Sequence, residues 1–146
     1  MPELFLSYGH DDRDVSAALA GEFARLGVDV WWDHDLLAGD SYRDRITEIL
    51  ARAQAVIVMW SRRSVQSHWV IGEATAAVER QCLIPVSVDG EKPPIEFRQL
   101  HTIELAGWMP GDPLPAELVR AVSGRLGRDL IYEEEARRAS RPHHQQ

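Results

Sequence analysis

The chain has 146 residues, of which 45% are hydrophobic and 27% charged; this is enough for one domain with a sizeable core and short for two. The net charge of −7 argues against a nucleic-acid partner, because binding to phosphates requires a basic surface. No apolar run approaches the roughly 20 residues that span a bilayer, and no signal peptide is visible. We therefore expect no membrane partner. The single cysteine, Cys82, allows no intrachain disulfide, and so we expect a cytoplasmic protein.

The first half of the chain alternates apolar strands with amphipathic helices. Strands are predicted at residues 4–8, 28–32 and 55–60. The first helix opens at the acids of residues 11–14 and stops at Gly27, and the second opens at a capping box that begins at Ser41. Trp31 and Trp32 point to opposite faces of the second strand, so one is predicted to be core and the other partly exposed.

The second half of the chain repeats the alternation and ends in a charged segment. A helix is predicted over residues 64–80, a fourth strand over 82–88, a fifth over 101–105, and a last helix through Leu114 and Leu126. Pro85 removes a backbone donor from the fourth strand, which predicts that this strand is short or irregular. We expect a domain over residues 1–130 and a charged tail or linker over 131–146.

Strands alternating with helices predict an α/β fold with a doubly wound, five-stranded parallel sheet and helices on both faces. The best candidate is the flavodoxin-like strand order 2-1-3-4-5. Ligands of such sheets bind at the carboxyl ends of the strands. The segments 8–10, 33–41 and 61–73 are therefore expected along one rim.

Two residues of the third helical segment suggest a chemistry. Trp69 and Glu73 are four residues apart, so on a helix they lie on one face, one turn apart. An aromatic plane beside a carboxylate could hold a flat cationic ring and stabilise positive charge on a neighbouring sugar. On the helical wheel Glu73 sits at the edge of the buried arc, so a solvated helix glutamate is the alternative, as a boundary aromatic is for Trp69.

Three blocks resemble the Toll/interleukin-1 receptor (TIR) domain of the bacterial, NAD-cleaving type. They are the opening strand and first box at residues 5–12, the second strand with the following loop at 27–40, and the Ser-x-Trp-x-x-x-Glu segment at 64–73. Residues 84–86 fit the fourth strand, and the resemblance covers about residues 3 to 130. One departure is Gly9, where the family often has Ser.

The resemblance implies cleavage of the nicotinamide–ribose bond of NAD, by hydrolysis or cyclisation. Nicotinamide leaves as a neutral molecule from a cationic precursor, so no general acid is needed and the ribose becomes oxocarbenium-like. Glu73 is the candidate catalytic carboxylate and Trp69 a candidate for stacking on the substrate. NAD is then the substrate, and no cofactor or metal is expected.

Other residues of the rim are candidates for substrate binding. Tyr8, Gly9 and His10 could line the pocket, although His10 is also an ordinary polar loop residue and Gly9 could merely ease a turn. Asp33 could bind ribose hydroxyls or cap the loop, and Ser67 could contact substrate or cap the helix. Asp11 and Asp12 are expected to be helix caps rather than catalysts.

The loop after the second strand is the candidate surface for self-association. Leu36 and Leu37 stand in an otherwise polar stretch that continues to Gly39 and Asp40, and two exposed leucines suggest a contact surface. The family packs one TIR domain against the next through this loop, which implies a homo-oligomer when active. The alternative is that the leucines fold back on their own domain.

Four other functions compete with the enzyme. A non-enzymatic TIR adaptor would share the fold but would need neither Trp69 nor Glu73. A phospho-acceptor receiver domain is rejected, because the third strand is followed by Ser61 rather than Asp and Lys92 lies in a loop before the fifth strand. A Rossmann dehydrogenase lacks its glycine motif here, and a nucleoside deoxyribosyltransferase stays open. The family further implies antiviral signalling with a sensor domain or sensor protein.

Overall fold

The computed structural model describes residues 2–33 and 42–130. The strands are β1 (Leu4–Ser7), β2 (Val30–Trp31), β3 (Ala55–Trp60), β4 (Leu83–Ser87) and β5 (Ile103–Glu104). The α-helices are α1 (Arg13–Arg25), α2 (Tyr42–Arg52), α3 (His68–Glu79) and α4 (Ala116–Leu126). Short 3-10 turns lie at His10–Asp12, Ser64–Gln66 and Ile95–Phe97.

The five strands form one parallel sheet in the order β2-β1-β3-β4-β5. Leu4 pairs with Val30 on one side and with Ala55 on the other, which puts β1 inside the sheet. The predicted flavodoxin-like order is confirmed. Because all strands run the same way, their carboxyl ends meet at one edge, where such sheets bind ligands.

Helices cover both faces of the sheet, as predicted. On one face α1 and α4 pack against β1 and β3, with Phe23 and Leu118 buried beside Leu6. On the other face α2 and α3 bury Ile46 and Val70 in a second cluster. This second cluster also holds Phe5, so side chains of β1 alternate between the faces. Within the described residues, no helix combines the length and the apolar character that crossing a membrane requires.

β4 is regular, so the prediction that Pro85 would shorten or distort it is wrong. All of its residues are buried, and it pairs with β3 on one side and β5 on the other. Val88 donates to the Trp60 carbonyl of β3, whereas the Ser87 carbonyl accepts from Leu105 on the β5 side. The backbone groups of residues two apart in a strand point to the same side, so the Pro85 nitrogen faces β5, as the backbone of Ser87 does. Pairing with β5 begins only at Val86. The missing N–H thus falls outside the ladder.

The edge strands are shorter than predicted. β2 and β5 each contain two residues, where the sequence suggested five. Trp31 and Trp32 do lie on opposite faces, but both are half-buried, so one is partly exposed as predicted and the prediction that the other belongs to the core is wrong. The capping residue proposed for α2, Ser41, and the charged segment 131–146 lie outside the described residues.

Candidate active site

Glu73 lies on the face of α3 that packs against the sheet, and 5% of it is exposed. The sequence placed it at the edge of the buried arc; the structure places it inside. The cause is the close approach of α3 to the carboxyl end of β1, which a helical wheel does not record. An isolated carboxyl in such a position costs free energy to ionise unless other groups compensate it.

Ser7 provides that compensation. Its hydroxyl donates a 2.6 Å hydrogen bond to Oε1 of Glu73, and Ser7 is fully buried at the last position of β1. Ser7 is not among the site residues predicted from the sequence. The available signal was a lone hydroxyl at the end of an otherwise apolar strand, because a buried hydroxyl at the binding edge needs a partner.

The environment of Glu73 raises the pKa of its carboxyl to about 7. Burial is the main cause, and the hydrogen bond from Ser7 and the indole of Trp69 act in the opposite direction. The second oxygen, Oε2, is buried, and no described donor reaches it with hydrogen-bond geometry. Glu73 is therefore divided between neutral and charged forms near neutral pH, as suits an active-site carboxyl.

Trp69 lies one turn before Glu73 and packs, half-buried, against the α2 and α3 cluster. The guanidinium of Arg43, from α2, stands 5.7 Å from the centroid of the Trp69 ring. This distance is that of a cation–π contact. The ring thus covers the neighbouring helix, as the boundary alternative predicted, and also attracts a cation, as the stacking hypothesis requires.

Tyr8 and Asp33 are held in place by protein groups at the same edge. The Tyr8 hydroxyl donates to the Trp32 carbonyl at 2.7 Å. Both oxygens of Asp33 accept from Arg13, at 2.9 and 3.3 Å, and that guanidinium also stands 5.1 Å from the Trp32 ring centroid. The sequence did not indicate Arg13, which fixes the chain at the start of the loop that follows.

Gly9 and His10 form the turn between β1 and α1. Gly9 has φ −79° and ψ 157°, which any residue adopts, so its glycine character is not required by the turn. A Cβ there would meet the Cβ of Ser64 at 3.4 Å, an ordinary contact. His10 is exposed. Both remain candidates for lining the pocket.

Asp12 occupies the N-cap position of α1, as predicted, but its side chain makes no capping hydrogen bond, and Asp11 lies in the 3-10 turn before it. Asp12 accepts a 2.6 Å hydrogen bond from the Ser61 hydroxyl, and Asp11 pairs with Arg63 at 3.0 Å. Burial raises the pKa of Asp12, and the Ser61 hydrogen bond opposes this rise. The two acids therefore tie the β1–α1 turn to the segment after β3.

Ser67 is the N-cap of α3, since its hydroxyl accepts from the Val70 N–H at 3.2 Å. The capping alternative is confirmed. Because of this cap, α3 begins at His68 and the predicted helix over 64–80 is divided into a 3-10 turn and a shorter helix. Ser67 also lines an open cavity of about 710 Å³ together with Arg62, Arg63 and Gln66.

The structure therefore brings Ser7, Trp69 and Glu73 together, with Tyr8, Gly9 and Asp33 on the same edge of the sheet. The loop residues Leu36, Leu37, Gly39 and Asp40 lie outside the described residues. Across the described ranges 2–33 and 42–130, no three His, Cys, Asp or Glu side chains cluster as metal ligands do. The chemistry available here is charge stabilisation by one buried carboxyl next to an aromatic ring.

Two bacterial proteins match just over half of this chain. The NAD(+) hydrolase TcpC of Escherichia coli O6:H1 (strain CFT073) is 32% identical over 80 residues, which are 53% of this chain and 26% of that protein. The 2′ cyclic ADP-D-ribose synthase AbTIR of Acinetobacter baumannii (strain 1295743) is 32% identical over 81 residues, 54% of this chain and 30% of that protein. The matched segments thus span less than a third of either relative.

A solved structure supports the fold independently. The TIR domain of the Toll-related receptor TRR-2 from Hydra magnipapillata superposes with a TM-score of 0.67, covering 90% of this chain and 99% of the receptor domain at 16% identity. At this identity the likeness concerns the fold alone. The family model of the TIR domain, however, matches residues 4–122. The chain therefore belongs to the TIR domain family.

Proposed function

We propose that this chain cleaves NAD at the nicotinamide–ribose bond and that Glu73 is its catalytic carboxylate. The observation that carries the proposal is a buried carboxyl, held at one oxygen by Ser7, next to the indole of Trp69 at the ligand-binding edge of the sheet. The names of the two bacterial relatives, an NAD(+) hydrolase and a cyclic ADP-ribose synthase, support the same substrate.

The chemistry requires the charged form of Glu73. As the bond to nicotinamide lengthens, the ring becomes neutral and positive charge develops on the ribose. A preorganised carboxylate in a water-poor site stabilises that charge more strongly than water does. Before cleavage, the cationic nicotinamide ring itself favours ionisation of Glu73, since a nearby positive charge lowers the pKa of a carboxyl. Hydrolysis and cyclisation share this step and differ in what captures the ribose.

The test is nicotinamide release from NAD by wild type and by Glu73→Gln. Glutamine keeps the shape of the side chain and an acceptor for Ser7, which matters because Glu73 is buried and alanine would leave a cavity. We expect the variant to lose roughly 100- to 1000-fold in rate, as is typical when a preorganised transition-state contact is removed. The matched control is Glu79→Gln, at an exposed position of the same helix.

Full activity in Glu73→Gln would contradict the assignment of the catalytic residue. No release from any variant, even with the domain artificially clustered, would favour the adaptor function instead. Equal losses in Glu73→Gln and Glu79→Gln would indicate damage to α3 rather than removal of a catalytic charge.

We also propose that activity depends on self-association through the loop that holds Leu36, Leu37, Gly39 and Asp40. This rests on the family resemblance and on two leucines in a polar stretch. Specific activity should rise with protein concentration in wild type and rise less in Leu36→Asp or Leu37→Asp. A concentration-independent specific activity in wild type would mean that the single domain is complete.

The cellular role we propose is that of a cytoplasmic effector of antiviral defence, acting with a sensor domain or sensor protein. The support is the family resemblance. In cells that carry this gene, phage infection should deplete NAD, and Glu73→Gln should abolish the depletion. Unchanged NAD in infected wild-type cells would contradict this role.

A further inference from the structure

The contact between Ser7 and Glu73 joins two elements that are distant in the chain. It spans 66 residues, is 2.6 Å long, and involves two buried side chains. Ser7 itself has little freedom, because the last residues of β1 are paired with β3, Ser7 opposite Val58. The hydroxyl therefore reaches Glu73 from a rigid strand, which is what an exact carboxyl orientation requires.

Few groups act on this carboxyl. Among the described residues, the only side chains that shift its pKa are Ser7 from β1 and Trp69 from α3 itself. β3 and β4 bring apolar residues to this face, and the Arg43 guanidinium of α2 contacts the Trp69 ring. With no described cation against Glu73, the hydroxyl of Ser7 is the principal group that favours its charged form.

We propose that Ser7 is the positioning residue of Glu73: its hydroxyl holds Oε1 and thereby fixes the orientation of the carboxylate. The inference rests on the proposed function for its catalytic consequence, but the coupling between the two side chains is independent of any reaction.

A merely structural serine and a positioning serine make different predictions. If Ser7 only fills space, Ser7→Ala should change activity little or equally at all pH values. If it stabilises the charged carboxylate, Ser7→Ala should raise the pKa of Glu73 above its value of about 7. The loss of activity would then be largest at low pH, roughly tenfold for each unit by which the pKa rises, and would shrink as the pH increases.

The structure supplies a matched control. Ser16 of α1 is also fully buried, but its hydroxyl has no hydrogen-bond partner among the described residues. Ser16→Ala likewise removes one buried hydroxyl group, but from α1, which packs on the face of the sheet opposite to α3. It should leave the pH profile in place.

The experiment compares wild type, Ser7→Ala, Ser7→Thr and Ser16→Ala in nicotinamide release and in thermal midpoint, both as functions of pH. We expect Ser7→Ala to shift both profiles to higher pH and Ser7→Thr, which keeps a hydroxyl, to restore them. In the double variant Ser7→Ala with Glu73→Gln, the thermal midpoint should depend on pH in the same way as in Glu73→Gln alone. Profiles of Ser7→Ala parallel to those of wild type would overturn the proposal.

The two measurements separate this inference from the proposed function. If wild type releases no nicotinamide, the thermal profiles still decide whether Ser7 controls the ionisation of Glu73. If wild type is active and Ser7→Ala keeps the wild-type pH profile in both measurements, the proposed NAD cleavage is supported and the proposed positioning role of Ser7 is contradicted.

Discussion

The guanidinium of Arg43 stands 5.7 Å from the ring centroid of Trp69, and so a protein cation occupies the aromatic surface next to Glu73. A cationic nicotinamide ring would be attracted to the same surface for the same reason. Both cannot lie on one face of the indole. Arg43 is exposed, and its displacement therefore exchanges one cation for another rather than exposing a buried charge.

We expect Arg43→Ala to lower the KM for NAD. A cation–π contact at an exposed site contributes about 0.5–1 kcal/mol, so removing the competitor should lower KM roughly two- to fivefold while kcat changes little. Steady-state kinetics of nicotinamide release measure this directly. The control is Arg45→Ala, an exposed arginine of the same helix whose described partner is Glu48.

A rise in KM for Arg43→Ala, with Arg45→Ala unchanged, would contradict competition. It would show instead that Arg43 helps to hold the substrate, for example through the diphosphate.

Gly9 should tolerate the serine that the family often carries there. Its φ of −79° suits any residue, and a Cβ would make only ordinary contacts. Gly9→Ser should therefore alter the free energy of unfolding by less than about 0.5 kcal/mol, measured by chemical denaturation. By contrast, Gly127 caps α4 with φ +72°, and Gly127→Ala should cost about 1–2 kcal/mol. Similar losses in both variants would mean that Gly9 is constrained by contacts outside the described residues.

The fold could be predicted from the sequence because its signals are local. β3 is a continuous apolar run, and such a run is typical of a central strand covered on both faces. The alternation of strands and helices, together with right-handed crossovers, then leaves few topologies, and the flavodoxin-like order is the best candidate among them. Pro85 shows the limit of this reasoning: its effect depends on which neighbour its nitrogen faces, and that is a property of the assembled sheet.

The site was predictable in part for the same reason. Trp69 and Glu73 are close in sequence, so helical spacing alone placed them together. Ser7 contacts Glu73 across 66 residues, and Arg13 contacts Asp33 across 20. Neither pairing follows from periodicity, because both depend on how helices pack at the edge of the sheet. The burial of Glu73 depends on the same packing and therefore does not follow from the helical wheel.

Activity should depend on the ionisation of Glu73. With the pKa of its carboxyl raised to about 7 in the free protein, kcat/KM should fall about tenfold for each pH unit below 7 and level off above it. The cationic ring of bound NAD favours the charged carboxylate, so the midpoint of kcat should lie at lower pH than that of kcat/KM. Initial rates across a pH series at several NAD concentrations separate the two. Coincident midpoints would mean that the ring does not lie near Glu73.

The same ionisation should appear in stability, without substrate. The carboxyl pKa is 4.5 in the unfolded chain and about 7 in the folded one. Folding therefore favours the protonated form, and its contribution is fully present below pH 4.5 and lost as pH rises through about 7. The loss amounts to about 3 kcal/mol for a buried group, and Glu73→Gln should remove this part of the pH dependence. Chemical denaturation of both proteins at about pH 5 and at about pH 8 tests it, since the variant should be the more stable one only at the higher pH. If the wild type and the variant lost stability in parallel, Glu73 would already be charged at neutral pH, and the acidic fall predicted for kcat/KM would have to come from another group.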